Sequence, residues 1–109
     1  MLDGKLARPS TGAANNLLPI CYGSVSNTGA INSGTSNFSV THSATGQFDI
    51  DIDAETYSNS NYVTNVTVSN FSSVRIATTS AASGKLIVKI WDGAGNEVNA
   101  GFHFIVYKQ

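Results

Sequence analysis

From Leu17 to the end of the chain, apolar and polar residues alternate with a period of two, and no window carries the spacing and caps of a helix. The pattern predicts an all-β domain. Its first strand runs from Pro19 to Ser26, turns at Asn27-Thr-Gly29 and continues briefly through Ala30 and Ile31. The next covers Ser36 to His42, where Phe38, Val40 and His42 alternate with Asn37, Ser39 and Thr41. Ala44-Thr-Gly46 then turns the chain back into Gln47 to Asp53. In that strand Phe48, Ile50 and Ile52 face inward, and Asp49, Asp51 and Asp53 face outward. A polar loop holding Tyr57, Asn59 and Asn61 leads to a strand from Tyr62 to Ser69, whose inward set is Tyr62, Val66 and Val68. Ser73 to Thr79 follows, with Val74 and Ile76 as its inward pair.

The last quarter is the most apolar. Lys85 to Trp91 and Phe102 to Tyr107 flank the glycine-rich stretch Asp92-Gly-Ala-Gly-Asn-Glu97 and together predict a terminal β-hairpin. Large apolar groups occupy both faces of each strand: Leu86, Val88 and Ile90 against Ile87 and Trp91, then Phe102, Phe104 and Val106 against His103, Ile105 and Tyr107. A small sandwich buries one face of each sheet. The second apolar face therefore points to burial against another copy, with Ile87, His103, Ile105 and Tyr107 as interface candidates. Six or seven short strands separated by turns indicate an antiparallel sandwich or a jelly-roll-like barrel over residues 17–109. Residues 1–16 mix Gly, Pro, Ser, Thr and Ala without a hydrophobic period and are expected to be a linker or the end of an upstream element.

Composition narrows the function classes. At 109 residues the chain is one domain, and oligomer contacts matter for a core of that size. Charged residues make up 12% of it, about half the usual share, with Ser, Thr and Asn in their place. A net charge of −1 supplies no drive toward phosphate backbones, so no nucleic-acid partner is expected. No apolar run is long enough to span a bilayer, and the N-terminus has no signal-peptide core, so no membrane insertion is expected. Cys21 is the single cysteine, which removes any intrachain disulfide; within Leu17-Leu-Pro-Ile-Cys-Tyr22 it is expected to behave as a small buried hydrophobe.

Candidate chemistry is sparse. Asp49, Asp51, Asp53 and Glu55 form the one concentration of charge, but same-face strand positions stand about 7 Å apart, too far for one ion to be gripped by all. A solvated strand face is the expectation, with a cation at a subunit junction as the alternative. His42 and His103 have no nucleophile or metal signature near them, and no cofactor is expected. Trp91, beside a turn carrying Asp92 and Asn96, has the make-up of a sugar site, where a ring stacks on pyranose C–H groups and polar side chains bond hydroxyls. Packing in a subunit interface is the competing role for Trp91. Tyr57 and Tyr62 frame a loop of small polar residues typical of adaptable recognition loops, with a plain surface connection as the alternative.

Leu17-Leu-Pro-Ile-Cys-Tyr-Gly23, the Gly34 to Val40 stretch with Asn-Phe-Ser-Val, Gly46-Gln-Phe-Asp-Ile-Asp-Ile52, and Ser83-Gly-Lys-Leu through Phe104-Ile-Val-Tyr-Lys108 together resemble the C-terminal tip domains of phage tail fibres and related bacterial fibre-like proteins. Leu6-Ala-Arg-Pro-Ser-Thr-Gly12 looks like the end of a longer fibre entering such a tip. The order of strands, Tyr62-Val-Thr-Asn-Val-Thr-Val68 before Lys85 to Trp91, is also similar to the H-type lectin-like sandwich, a six-stranded fold that forms homotrimers and can bind carbohydrate. The resemblance implies a homotrimeric, non-enzymatic adhesin at a virion fibre tip or extracellular appendage, held by an upstream fibre segment and attaching to a cell-surface glycan. Tyr57, Tyr62, Trp91, Asp92 and Asn96 are the ligand candidates. A structural module that registers and caps three fibre chains is the second reading, and a small polysaccharide hydrolase using Asp92 and Glu97 the third.

Overall fold

Two four-stranded antiparallel sheets pack face to face in the computed structural model, which describes residues 18–69 and 72–109. The segment 1–16, expected as a linker, lies outside the described residues. In chain order the strands are β1 (Cys21–Val25), β2 (Ile31–Gly34), β3 (Phe38–Ala44), β4 (Gln47–Ile52), β5 (Tyr62–Val68), β6 (Arg75–Ala82), β7 (Lys85–Asp92) and β8 (Phe102–Lys108). The A sheet has the order β2-β1-β8-β5 and the B sheet β3-β4-β7-β6. The all-β antiparallel expectation holds, with eight strands among the described residues in place of six or seven. The added strand is β2. Ala30 and Ile31 do not continue the first strand; the Asn27-Thr-Gly29 turn reverses it, so that Val25 pairs with Ile31 and Gly23 with Gly34.

The core lies between the sheets, filled by the alternate residues of each strand that share a face. Phe48, Ile50 and Ile52 of β4 and Leu86, Val88 and Ile90 of β7 meet Phe102, Phe104 and Val106 of β8. Aromatic edges tie the layers together: Phe38 meets Phe104 at 5.0 Å and Phe48 meets Phe102 at 5.2 Å, both near T-shaped. Each such side chain contributes roughly 1.5–3 kcal/mol relative to exposure. Cys21 joins them fully buried, as expected of it, and burial pushes its thiol pKa up.

The terminal hairpin is corrected. β7 pairs with β4 and β6 in the B sheet, whereas β8 pairs with β1 and β5 in the A sheet. The two strands face each other across the core, and residues 93–101 form an arch between the sheets. Only the start of that segment closes as a turn, where Trp91 bridges Glu97 and Asp92 N–H donates to Asn96 O. β6 is corrected as well. Its register sets Ile76 opposite Trp91 and Ala77 opposite Ile90, so Ala77 and Ala81 face the core while Ile76 faces out and Val74 precedes the strand, exposed. Small inward residues suit an edge strand, where the sandwich thins.

The sequential pairs β1–β2, β3–β4 and β6–β7 are hairpins, and the remaining links cross between sheets. The antiparallel registers then sort the loops into two ends. The base holds the first described residues, the 53–61 loop, the Ser83-Gly84 turn and the C-terminal residues. Ile20 N–H donates to Val106 O, Tyr57 N–H to Gly84 O and Gln109 N–H to Asn61 O there. The far end holds the β1–β2 turn, the β3–β4 turn and the 93–101 arch.

Candidate functional site

The five ligand candidates do not converge. Tyr57 and Tyr62 are 5% and 6% exposed and belong to the core at the base, their rings stacked at 5.0 Å. Their hydroxyls are engaged: Tyr57 Oη shares a hydrogen bond with Thr64 Oγ1, and Tyr62 Oη donates to Glu55 Oε1 at 2.7 Å. That donated bond, then Lys108 Nζ at 3.0 Å, holds the Glu55 carboxyl below its ordinary range. Burial, followed by the Glu55 bond, pushes the Tyr62 phenol up.

Trp91, Asp92 and Asn96 sit about a strand length away, at the far end on the B-sheet side. Asp92 is occupied by its own turn. Its Oδ1 accepts the Ala94 and Asn96 N–H groups at 2.9 Å and its Oδ2 accepts from Asn96 Nδ2 at 3.3 Å. These bonds, the Asn96 N–H first, hold its carboxyl below the ordinary range. Trp91 is half-buried on the outer face of the B sheet, donating from Nε1 to Thr78 Oγ1 at 3.0 Å, with Lys89 Nζ 5.8 Å from its ring centre. Glu97 pairs with Lys89 at 3.6 Å.

The four interface candidates divide between opposite faces, because β7 and β8 belong to different sheets. Ile87 lies on the outside of the B sheet and is already 7% exposed within the single chain, placed between Asp49 and Ser80 on the neighbouring strands. His103, Ile105 and Tyr107 point outward from the A sheet. No single planar contact can contain all four. Among the described residues no three of the acidic, histidine or cysteine side chains converge as a metal site; Asp49 accepts from Ser43 and Gln47, and Asp51 and Asp53 are exposed.

What the fold does build is a trough across the outer face of the A sheet. It has a volume of about 590 Å³ and runs over all of that sheet's strands, from Ser33 and Tyr22 past His103 to Thr67 and Asn65. The register explains the gathering: His103 stands opposite Ser24 on one side and Thr67 on the other, and Ile105 stands opposite Tyr22 and Asn65. A second hollow of about 370 Å³ shares Ser24 and His103 and continues to Asn32, Asn27 and Gly101 at the far end. Neither hollow is lined by Asp, Glu, Lys or Arg. The side chains of Ser24, Ser33, Asn65, Thr67 and His103 form no hydrogen bond with one another or with any other described residue. Their donors and acceptors face solvent, unlike those of the Asp92 turn.

Toward the base the same face changes character. Tyr22 is 49% and Val63 60% exposed; Val63 stands directly opposite Tyr107, and Tyr22 opposite Ile105. The outer A face is thus polar in its far half and apolar and aromatic in its near half. Sequence reading places His103 and Ile105 on this face but misses Tyr22, Ser24, Asn65 and Thr67. The signal available for them is the alternation of Cys21, Gly23 and Val25 with Tyr22 and Ser24, which gives the outward set only once the neighbours of β8 are known.

The fold and this face define an antiparallel two-sheet β-sandwich with an uncharged surface trough. No family model, curated protein or solved structure matches the chain.

Proposed function

We propose that this domain is the receptor-binding tip of a fibre, of the kind found on phage tails or related bacterial appendages, which attaches without chemistry to a cell-surface glycan as a homotrimer. The observation supporting it is the trough. Hydroxyl, amide and imidazole groups with no partner among the described residues, set beside an exposed tyrosine ring, match the alternating hydroxyls and C–H faces of a sugar. An H-type lectin-like arrangement is the finer fold reading within this proposal. Trimeric presentation suits such a site, since three shallow sites on one rigid tip raise the effective concentration for each other.

The two halves of the outer A face fit this use. The first and last described residues lie at the base, where an upstream fibre segment would hold three copies together, and the near half of the face offers Val63 and Tyr107 for contact between copies. The polar half lies toward the far end, where a host surface would be met. In a fibre-tip context the double substitution Asn65→Ala and Thr67→Ala is expected to lower binding to host cells or to a glycan array at least tenfold with the oligomer mass unchanged. Unaltered binding removes the trough from the proposal.

The apolar near half also favours a second reading, a module that registers and caps three fibre chains with its ligand site elsewhere. It predicts that substitutions in the trough leave attachment intact while substitutions at Val63 or Tyr107 dissociate the assembly.

A further inference from the structure

We infer that the ligand of the trough is an uncharged oligosaccharide bound along its length, through internal sugar units and not through a terminal residue. This rests on the glycan-binding reading above. The first observation is the make-up of the lining: both hollows lack Asp, Glu, Lys and Arg, and the polar lining consists of hydroxyls, amides and the His103 imidazole. A sialic acid, uronic acid or sulfated sugar would exchange a fully hydrated charge for contacts with no fixed cation to receive it, and that exchange is unfavourable. A neutral sugar loses only hydrogen bonds to water, and the free Ser24, Asn65 and Thr67 side chains replace them.

The second observation is shape. The larger hollow and its extension overlap at Ser24 and His103, so the path follows β8 from the level of Ile105 to that of Gly101. Four strand steps span roughly 13 Å at about 3.3 Å per residue, longer than one sugar ring. Both hollows are open to solvent, with Tyr22 in the lining at the near end and Asn27 and Gly101 in the lining at the far end. A pocket that reads a terminal sugar encloses it on several sides. A trough of this form takes a chain that enters and leaves, with the Tyr22 ring as a stacking platform under one unit.

Titration of the intact domain with neutral gluco-, manno- and galacto-oligosaccharides of one to six units, and with sialylated, uronic and sulfated counterparts, tests this. Affinity for the recognised neutral series is expected to rise at least tenfold from one unit to three and to exceed that of its charged counterparts at least tenfold. Tyr22→Ala is expected to abolish most of the gain with length while leaving the fold, followed by its thermal transition, in place. Full affinity for a monosaccharide, or preference for an anionic series, overturns the inference and leaves glycan binding standing. Failure of every saccharide to bind overturns both.

Discussion

Gly46 shows how one residue can fasten two elements. It turns β3 into β4 with φ at +71°, and a Cβ there would lie 2.8 Å from Ile90 O and 2.9 Å from Val98 N. The same amide donates to Asn99 Oδ1 at 2.7 Å, an oxygen also bonded to His42 Nε2, so the arch between β7 and β8 is pinned to the β3–β4 turn. Since Oδ1 only accepts, Nε2 of His42 carries a proton. Gly46→Ala is expected to cost about 2 kcal/mol or more, through left-handed backbone strain and backbone overlap, as measured by urea unfolding. At the base, Glu55 carries a pH signature. Its folded pKa lies below its unfolded value, so its contribution is present above the ordinary carboxylate range and is lost as pH falls through the folded value. Glu55→Gln keeps an acceptor for Tyr62 but removes the charge; its melting temperature is expected to fall below the parent's at neutral pH and to converge with it as the pH drops through the lowered Glu55 value.

Strand existence was largely legible at the level of elements, and strand partnership was not. The alternation through Phe48, Ile50 and Ile52 is unbroken, so β4 and its inward set follow from the sequence alone. β7 and β8 have equally clear alternation, yet nothing in it says whether two successive strands share a sheet or face each other across a core, because both arrangements bury the same residues. The ten residues from Asp92 to Gly101 held the physical cue: they are too many for a tight hairpin, and only the first part of them closes as a turn. The buried tyrosine pair was hidden for another reason. Tyr57 comes from a loop with the composition of a surface segment, and its bonds to Gly84 and Thr64 and its stacking on Tyr62 hold it under the sandwich. The β6–β7 hairpin was overlooked although Ser83-Gly84 is a two-residue turn with both φ values positive, +53° and +74°. Such a turn favours Asn at its first position, so Ser83→Asn is expected to stabilise the protein by about 0.5 kcal/mol in chemical denaturation.

The whole molecule presents two outer faces with different prospects. Outside the B sheet, β4 and β7 carry Asp49, Asp51 and Lys89 among their outward residues, and Ile87 is already covered by its neighbours. The A face is where uncompensated apolar and hydrogen-bonding groups lie together. If its near half joins the copies, the glutamate of Val63→Glu, standing beside Tyr107, places an unpaired charge in that contact, and the assembled mass is expected to fall from three chains to one in light scattering at micromolar concentration. A monomeric parent protein at that concentration contradicts the assembly.

The placement of β8 also governs how the chain can acquire its fold. Among the described residues of the A sheet β1 bonds only to β2 and β8, and β5 bonds only to β8, so β8, which follows the other seven strands, is the one that joins them. Until it is synthesised, β5 has no strand neighbour and the core-facing sides of the B sheet lack Phe102, Phe104 and Val106. Folding therefore waits on contacts between distant parts of the chain, which makes it slow. It also makes the nascent domain dependent on protection of half-finished strands.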